Sequence, residues 1–97
     1  MPAYIIVYQD SPIRDEDSMA EYQRRNGAAP SGDFAITPRV IHGAVHALEG
    51  QPPHAVIMLE FPTVEDARAW YDSANYQAAL PYRLRSADYR TIIVEGL

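Results

Sequence analysis

Apolar residues follow two different rhythms along this chain, and the change between them lays out the fold. Tyr4-Ile5-Ile6-Val7-Tyr8 is β-branched and aromatic without interruption. That predicts a strand over about 3–9, apolar on both faces and therefore central in its sheet. Asp10-Ser11-Pro12 ends it. Asp15 suits the cap of a helix over about 16–26, with Met19 and Tyr22 turned inward and Arg24-Arg25 near the negative end of the helix dipole. The breaker-rich Gly27-Ala28-Ala29-Pro30-Ser31-Gly32 reads as a loop. A second strand is expected over about 36–48, where Val40, His42, Ala44, His46 and Leu48 share one face. The short turn Glu49-Gly50-Gln51-Pro52-Pro53 predicts an antiparallel hairpin with the third strand, the apolar run His-Ala-Val-Ile-Met-Leu-Glu-Phe at 54–61. Pairing Leu48 with His54 would set His46 opposite Val56 and His42 opposite Glu60. A slip of one residue would turn every side chain to the other face.

Pro62 closes the third strand, and Thr63 caps a helix, its hydroxyl meeting the Asp66 amide while the Asp66 carboxylate reaches back. In that helix Val64, Ala67, Trp70, Tyr71 and Ala74 recur at helical spacing, so one stripe is buried against the sheet. Ser73-Ala74-Asn75 restarts a helical stretch through about Leu84, kinked or broken near Pro81, which has no amide to donate. The last strand is Tyr89-Arg90-Thr91-Ile92-Ile93-Val94-Glu95. Strand, helix, strand, strand, helix, strand is the ferredoxin-like β-α-β-β-α-β motif of an α+β domain. Its antiparallel sheet carries both helices on one face. The other face stays apolar, and an apolar face of that size is normally an interface. Two copies stacking those faces would form a dimeric α+β barrel.

Composition narrows the picture further. A chain of 97 residues with 47% hydrophobic residues makes one domain, 1–97. A domain this small gains from a partner copy, so a homodimer is expected. There is no cysteine, hence no disulfide framework, thiolate metal site or cysteine nucleophile. The sequence opens directly into a strand, with no signal-like segment and no run of membrane-spanning length, so a cytoplasmic protein without a membrane partner is expected. A net charge of −5 without a basic cluster argues against nucleic acid.

Candidate chemistry is sparse. His42 and His46, four residues apart on one strand, would lie roughly 13 Å apart, too far to share a metal. No metal site is expected. His42 opposite Glu60 would make an imidazole–carboxylate pair suited to general-base work. The plainer reading, a cross-strand polar pair at a sheet end with no chemical role, is preferred. Tyr22, Trp70, Tyr71, Tyr76 and Tyr82 would furnish a pocket with an apolar body and hydroxyl tips. Core packing is the favoured duty of Trp70, while Tyr71 and Tyr76 are evenly balanced between core and pocket. Arg83 and Arg39 could grip a ligand carboxylate, or pair with Asp72, Glu60 or a partner-chain acid. Nucleophile elbow, phosphate loop and dinucleotide fingerprint are all absent.

Leu48-Glu49-Gly50, Glu60-Phe61-Pro62 with Ala67, Trp70-Tyr71-Asp72-Ser73, Tyr76-Gln77, Arg83 and Val94-Glu95-Gly96 carry a specific resemblance. Together they resemble the family catalogued as domain of unknown function 1330, within the dimeric α+β-barrel superfamily. The likeness spans most of the chain from residue 40 onward. Family members usually have proline then glutamate where this chain has Ala74 and Asn75, and relatives tend to carry an aromatic residue at the place of His42. The resemblance implies fold and dimer, and it implies no established reaction and no cofactor. The wider superfamily is similar to cofactor-free monooxygenases, isomerases and polyketide cyclases that hold a small organic molecule between sheet and helices. The leading expectation is accordingly a dimer that binds a small organic molecule or serves a structural role. The competing expectation is a cofactor-free isomerase or monooxygenase for a small aromatic or carbonyl compound. There His42 would be the base, Glu60 would orient it, and Arg83 or Tyr76 would hold an oxyanion.

Overall fold

The computed structural model describes residues 1–28 and 34–97. Seven elements follow in chain order: β1 (Ala3–Gln9), α1 (Glu16–Ala28), β2 (Thr37–Ile41), β3 (Ala55–Phe61), α2 (Val64–Tyr71), α3 (Ala74–Ser86) and β4 (Tyr89–Glu95). The strands form one antiparallel sheet in the order β2-β3-β1-β4, so the uninterrupted apolar strand β1 is central, as its composition demands. Along β1 burial alternates. Ala3, Ile5, Val7 and Gln9 are buried beneath the helices, whereas Tyr4, Ile6 and Tyr8 are half-buried on the opposite, open face. Pairing carries the alternation across the sheet: Ile5 lies beside Leu59 and Ile93 on the helix face, and Ile6 beside Met58 and Ile92 on the open face. Phe61 and Ala67 complete the core under the helices, with Trp70 and Tyr71 packed against it.

The helix starts obey local chemistry. The Asp15 carboxylate accepts from the Ser18 amide at 3.0 Å and from its hydroxyl at 2.7 Å, capping α1. Thr63 accepts from the Asp66 amide at 3.1 Å and caps α2. Ser73 serves two helices at once: its hydroxyl donates to the Trp70 carbonyl at 2.7 Å and accepts from the Tyr76 amide at 3.3 Å. That one side chain closes α2 and opens α3. The helix α3 then runs through Pro81 to Ser86. The expected break at Pro81 does not occur. Pro81 and Gln77 lie on the exposed side of the helix, where a carbonyl without its helical partner faces solvent, while Ala79, Leu80 and Arg83 hold the buried side. The expected loop at Gly27–Gly32 starts later than read, because α1 includes Gly27 and Ala28; positions 29–32 lie outside the described residues.

The second strand differs most from expectation. It stops at Ile41, not near Leu48, and residues 43–54 form an exposed arm without regular structure. The cause lies across the hairpin. Continuing the Ile41–Ile57 pairing toward the turn would set Val45 opposite Pro53 and His46 opposite Pro52, and neither proline has an amide to give a ladder. His42 leaves the strand with φ 54°. Thr37, not His42, faces Glu60, and a bulge between Pro38 and Val40 accounts for one residue of that difference, since without it Pro38 would stand there. At the far end of the sheet Gly96 donates to the Pro2 carbonyl at 2.8 Å, and a Cβ there would lie 2.7 Å from the Tyr4 ring. Only glycine allows that approach.

Candidate functional site

Between the helix face of the sheet and the helices lies a partly enclosed cavity of about 250 Å³. Val7, Ile57 and Leu59 from the sheet and Trp70 from α2 supply its apolar walls. Its floor holds two buried polar groups, Gln9 at the end of β1 and Arg83 from α3, and its rim is made of exposed residues that include Ile41, His42, Gln23 and Asn26. Tyr22 reaches in from α1, where it sits one helical turn from Met19, also in the lining. Its hydroxyl meets that of Tyr76 at 3.2 Å, with the two rings edge to face at 6.3 Å.

Arg83 is the unusual member. It is 4% exposed, and its Nε has no hydrogen-bond partner among the described residues. Its guanidinium lies over the Tyr89 ring, 4.8 Å from the centroid. The Arg83 side chain reaches the cavity because α3 presents Tyr76, Ala79, Leu80 and Arg83, three or four residues apart, on its buried stripe. Burial, followed by the neighbouring Tyr22, pushes the Tyr76 phenol well above its ordinary value, with Arg83 pulling the other way. Tyr76 therefore stays a neutral hydroxyl, able to exchange hydrogen bonds with Tyr22 but not to act as a phenolate.

Of the residues singled out in the sequence, Tyr22, His42, Trp70 and Arg83 come together around this cavity. Trp70 packs 5.6 Å from Phe61 and 4.3 Å from Tyr76, centroid to centroid, so it serves core and cavity together. Tyr76 stands behind Tyr22 in the core. Tyr82 is not in the cavity lining: its ring lies under the Arg25 and Arg85 guanidinium groups. Tyr71 stacks on Tyr76 at 5.5 Å and faces a separate shallow recess with Arg68 and Ile93.

The expected His42–Glu60 pair is not formed. Glu60 alternates with Leu59 along β3 and so lies on the open face, while His42 sits at the cavity rim beside Val56, whose carbonyl accepts from the His42 amide at 3.0 Å. Glu60 instead accepts from Arg39 Nε at 3.1 Å, which also places Arg39 away from the cavity. Arg39 is the extra residue of the bulge, and bulges re-aim side chains in this way. Gln9 and Tyr89 went unremarked in the sequence. Gln9 carried a signal nonetheless: it shares the strand face of Ala3, Ile5 and Val7, and a polar residue ending an apolar face is often a site residue. Among the described residues no three potential ligands gather to hold a metal ion, and no helix is long and apolar enough to cross a membrane.

This architecture is ferredoxin-like α+β, and solved structures share it. RPA0582, a protein of unknown function from Rhodopseudomonas palustris, superposes with a TM-score of 0.69 at 20% identity over 99% of this chain and 82% of its own. A dimeric ferredoxin-like protein of unknown function from Thermobifida fusca gives 0.63 at 14% identity, over 99% and 92%. A putative antibiotic biosynthesis monooxygenase from Nitrosomonas europaea gives 0.57 at 18% identity, over 99% and 90%. At these identities the likeness carries the fold alone. No curated protein matches the chain in sequence. The family is nevertheless plain: the chain belongs to the family described as Domain of unknown function (DUF1330), whose model matches residues 2–97.

Proposed function

We propose that this protein is a homodimer that binds a small organic molecule in the cavity between sheet and helices. The observation that carries the reading is the cavity itself. Protein interiors close their voids to near-crystalline density, and about 250 Å³ of space with apolar walls and a polar floor is unlike a packing remnant. Tyr22, Trp70, Arg83 and the rim residue His42 are the contacts we assign to the ligand, with Tyr76 supporting Tyr22. Trp70 is the only tryptophan of the chain, so its emission reports directly on occupancy. Titrating small ring and short-chain compounds should give saturable changes in that emission, abolished by Val7→Phe, which fills the space without adding a second tryptophan. Linear, unsaturable changes across such compounds would end this reading.

The dimer rests on the open face of the sheet, where Ile6, Met58, Ile92 and Val40 cluster, and Ile92 is 45% exposed. The Thermobifida fusca neighbour, described as dimeric, is consistent with a second copy covering this face. The exposed arm with Val45 and Leu48 would gain cover from the same copy. The net charge of −5 argues against a nucleic-acid partner, and the lack of cysteine accords with a cytoplasmic setting. A second reading, a cofactor-free isomerase or monooxygenase, draws on the Nitrosomonas europaea neighbour and on His42 and Arg83 bordering one cavity. In that reading His42 acts as base without an orienting Glu60. Turnover of a bound aromatic or carbonyl compound that ceases in His42→Gln is its test.

A further inference from the structure

We infer that the cavity is selective for a compact organic monocarboxylate, whose acid group is held by Arg83; the inference rests on the cavity being a ligand site. A guanidinium group carries a positive charge and offers only donors. A buried charge is stable only when it is paired or solvated. Yet none of the ion pairs among the described residues includes Arg83, and its Nε is without a partner. The Tyr89 ring offers only the weak attraction of an aromatic face.

The surroundings sharpen the argument. This chain has 13 acidic residues against 8 basic ones, but among the described residues the cavity lining contains no aspartate or glutamate. An acidic protein whose described carboxylates all lie outside one cavity, with a buried arginine that none of them pairs on its floor, presents a positive site there. A second copy stacked on the open face cannot supply the missing acid, because Arg83 lies on the helix side of the sheet.

Size and charge then define the ligand. The cavity is somewhat smaller than the roughly 300–1,000 Å³ of sites for drug-sized molecules, which suits a single ring or a short chain. Val7, Ile57, Leu59 and Trp70 would cover its apolar body. A planar guanidinium matches a carboxylate by two parallel hydrogen bonds. A dianion such as a phosphate ester would leave one charge unmatched in apolar surroundings.

The test compares matched acids and amides: benzoate with benzamide, phenylacetate with phenylacetamide, and hexanoate with hexanamide. Trp70 emission is the readout, and calorimetry serves as a check. Wild-type protein should prefer each acid by at least about tenfold, the usual strength of a charge-assisted hydrogen bond. Arg83→Gln should bring the acid-to-amide ratio to about one while amide binding persists. Arg83→Lys, which keeps the charge but loses the fork, should fall between them. Circular dichroism verifies that each variant is folded. Equal binding of acids and amides by wild type, or a ratio unchanged in Arg83→Gln, overturns the anion selectivity and leaves the cavity as a ligand site. Tighter binding of inorganic phosphate than of any of these acids overturns it too. No saturable response to any compound removes the ligand site as well.

Discussion

Arg83→Met is the most informative single substitution, because it separates the cost of holding a ligand group ready from the cost of folding. Without ligand, Arg83 buries an Nε that none of the described residues satisfies, and a buried unsatisfied donor costs about 1–3 kcal/mol. Methionine ends about where the Nε lies, so it keeps the alkyl stem against the same neighbours and brings no donor, and the space of the guanidinium joins the cavity. Against this gain stands the loss of the Tyr89 contact, about 0.5–2 kcal/mol for a guanidinium over a ring. Solvent entering the cleft shares in hydrating the charge, which holds the gain to the lower part of its range. The balance is a stabilisation of up to about 1 kcal/mol, or roughly 4–8 °C in a domain of this size. Thermal unfolding followed by circular dichroism, at matched protein concentration because a dimer melts by mass action, measures it. Saturating benzoate should invert the order: ligand at a hundred times its Kd adds about 2.7 kcal/mol to wild type and far less to the variant. An empty Arg83→Met protein less stable than wild type by more than about 1 kcal/mol would refute the reasoning. It would mean that Arg83 anchors the fold through contacts that satisfy it.

Four further outcomes are expected. Trp70→Ala should cost about 3 kcal/mol in chemical denaturation, the low end for a large aromatic because Trp70 is only half-buried; a cost under about 1 kcal/mol would show that α2 is not held through it. Gly96→Ala should destabilise by about 1–3 kcal/mol, since its methyl would meet the Tyr4 ring at 2.7 Å; an unchanged melting temperature would count against that close approach. Ile92→Arg should convert dimer to monomer in sedimentation velocity while the far-ultraviolet spectrum persists, and a surviving dimer would place the interface elsewhere. Glu21, held by Arg24 and then Arg25, has its carboxyl lowered from 4.5 to about 2. Its contribution is therefore complete above about 4.5 and is lost as pH falls toward 2, so Glu21→Gln should flatten the stability–pH curve in that window only. An identical curve would show that the pairs do not persist in solution.

Much of the fold was legible in residue order alone. The strands β1 and β4 lie where their β-branched runs begin and end, and Asp15, Thr63 and Ser73 cap the helices that follow them. These features depend on contacts between near neighbours in the chain, so a one-dimensional reading captures them. Of the candidate site, Tyr22, Trp70 and Arg83 could be named from residue type and helical spacing. Their convergence with His42 and Gln9 on one cavity could not, because it depends on how α1, α2 and α3 are laid across the sheet. The register between β2 and β3 is the clearest divide. A turn-based count set His42 opposite Glu60, but the strand pairing puts Thr37 opposite Glu60 and Val56 beside His42, and β2 ends at Ile41 so that His42 turns to the rim. Sequence determined which segments are strands and helices, since that is set by local propensity and periodicity. Tertiary structure alone decided where β2 ends, which faces of different elements meet, and that Arg83 lies buried without an acid among the described residues, since these follow from contacts between residues far apart in the chain.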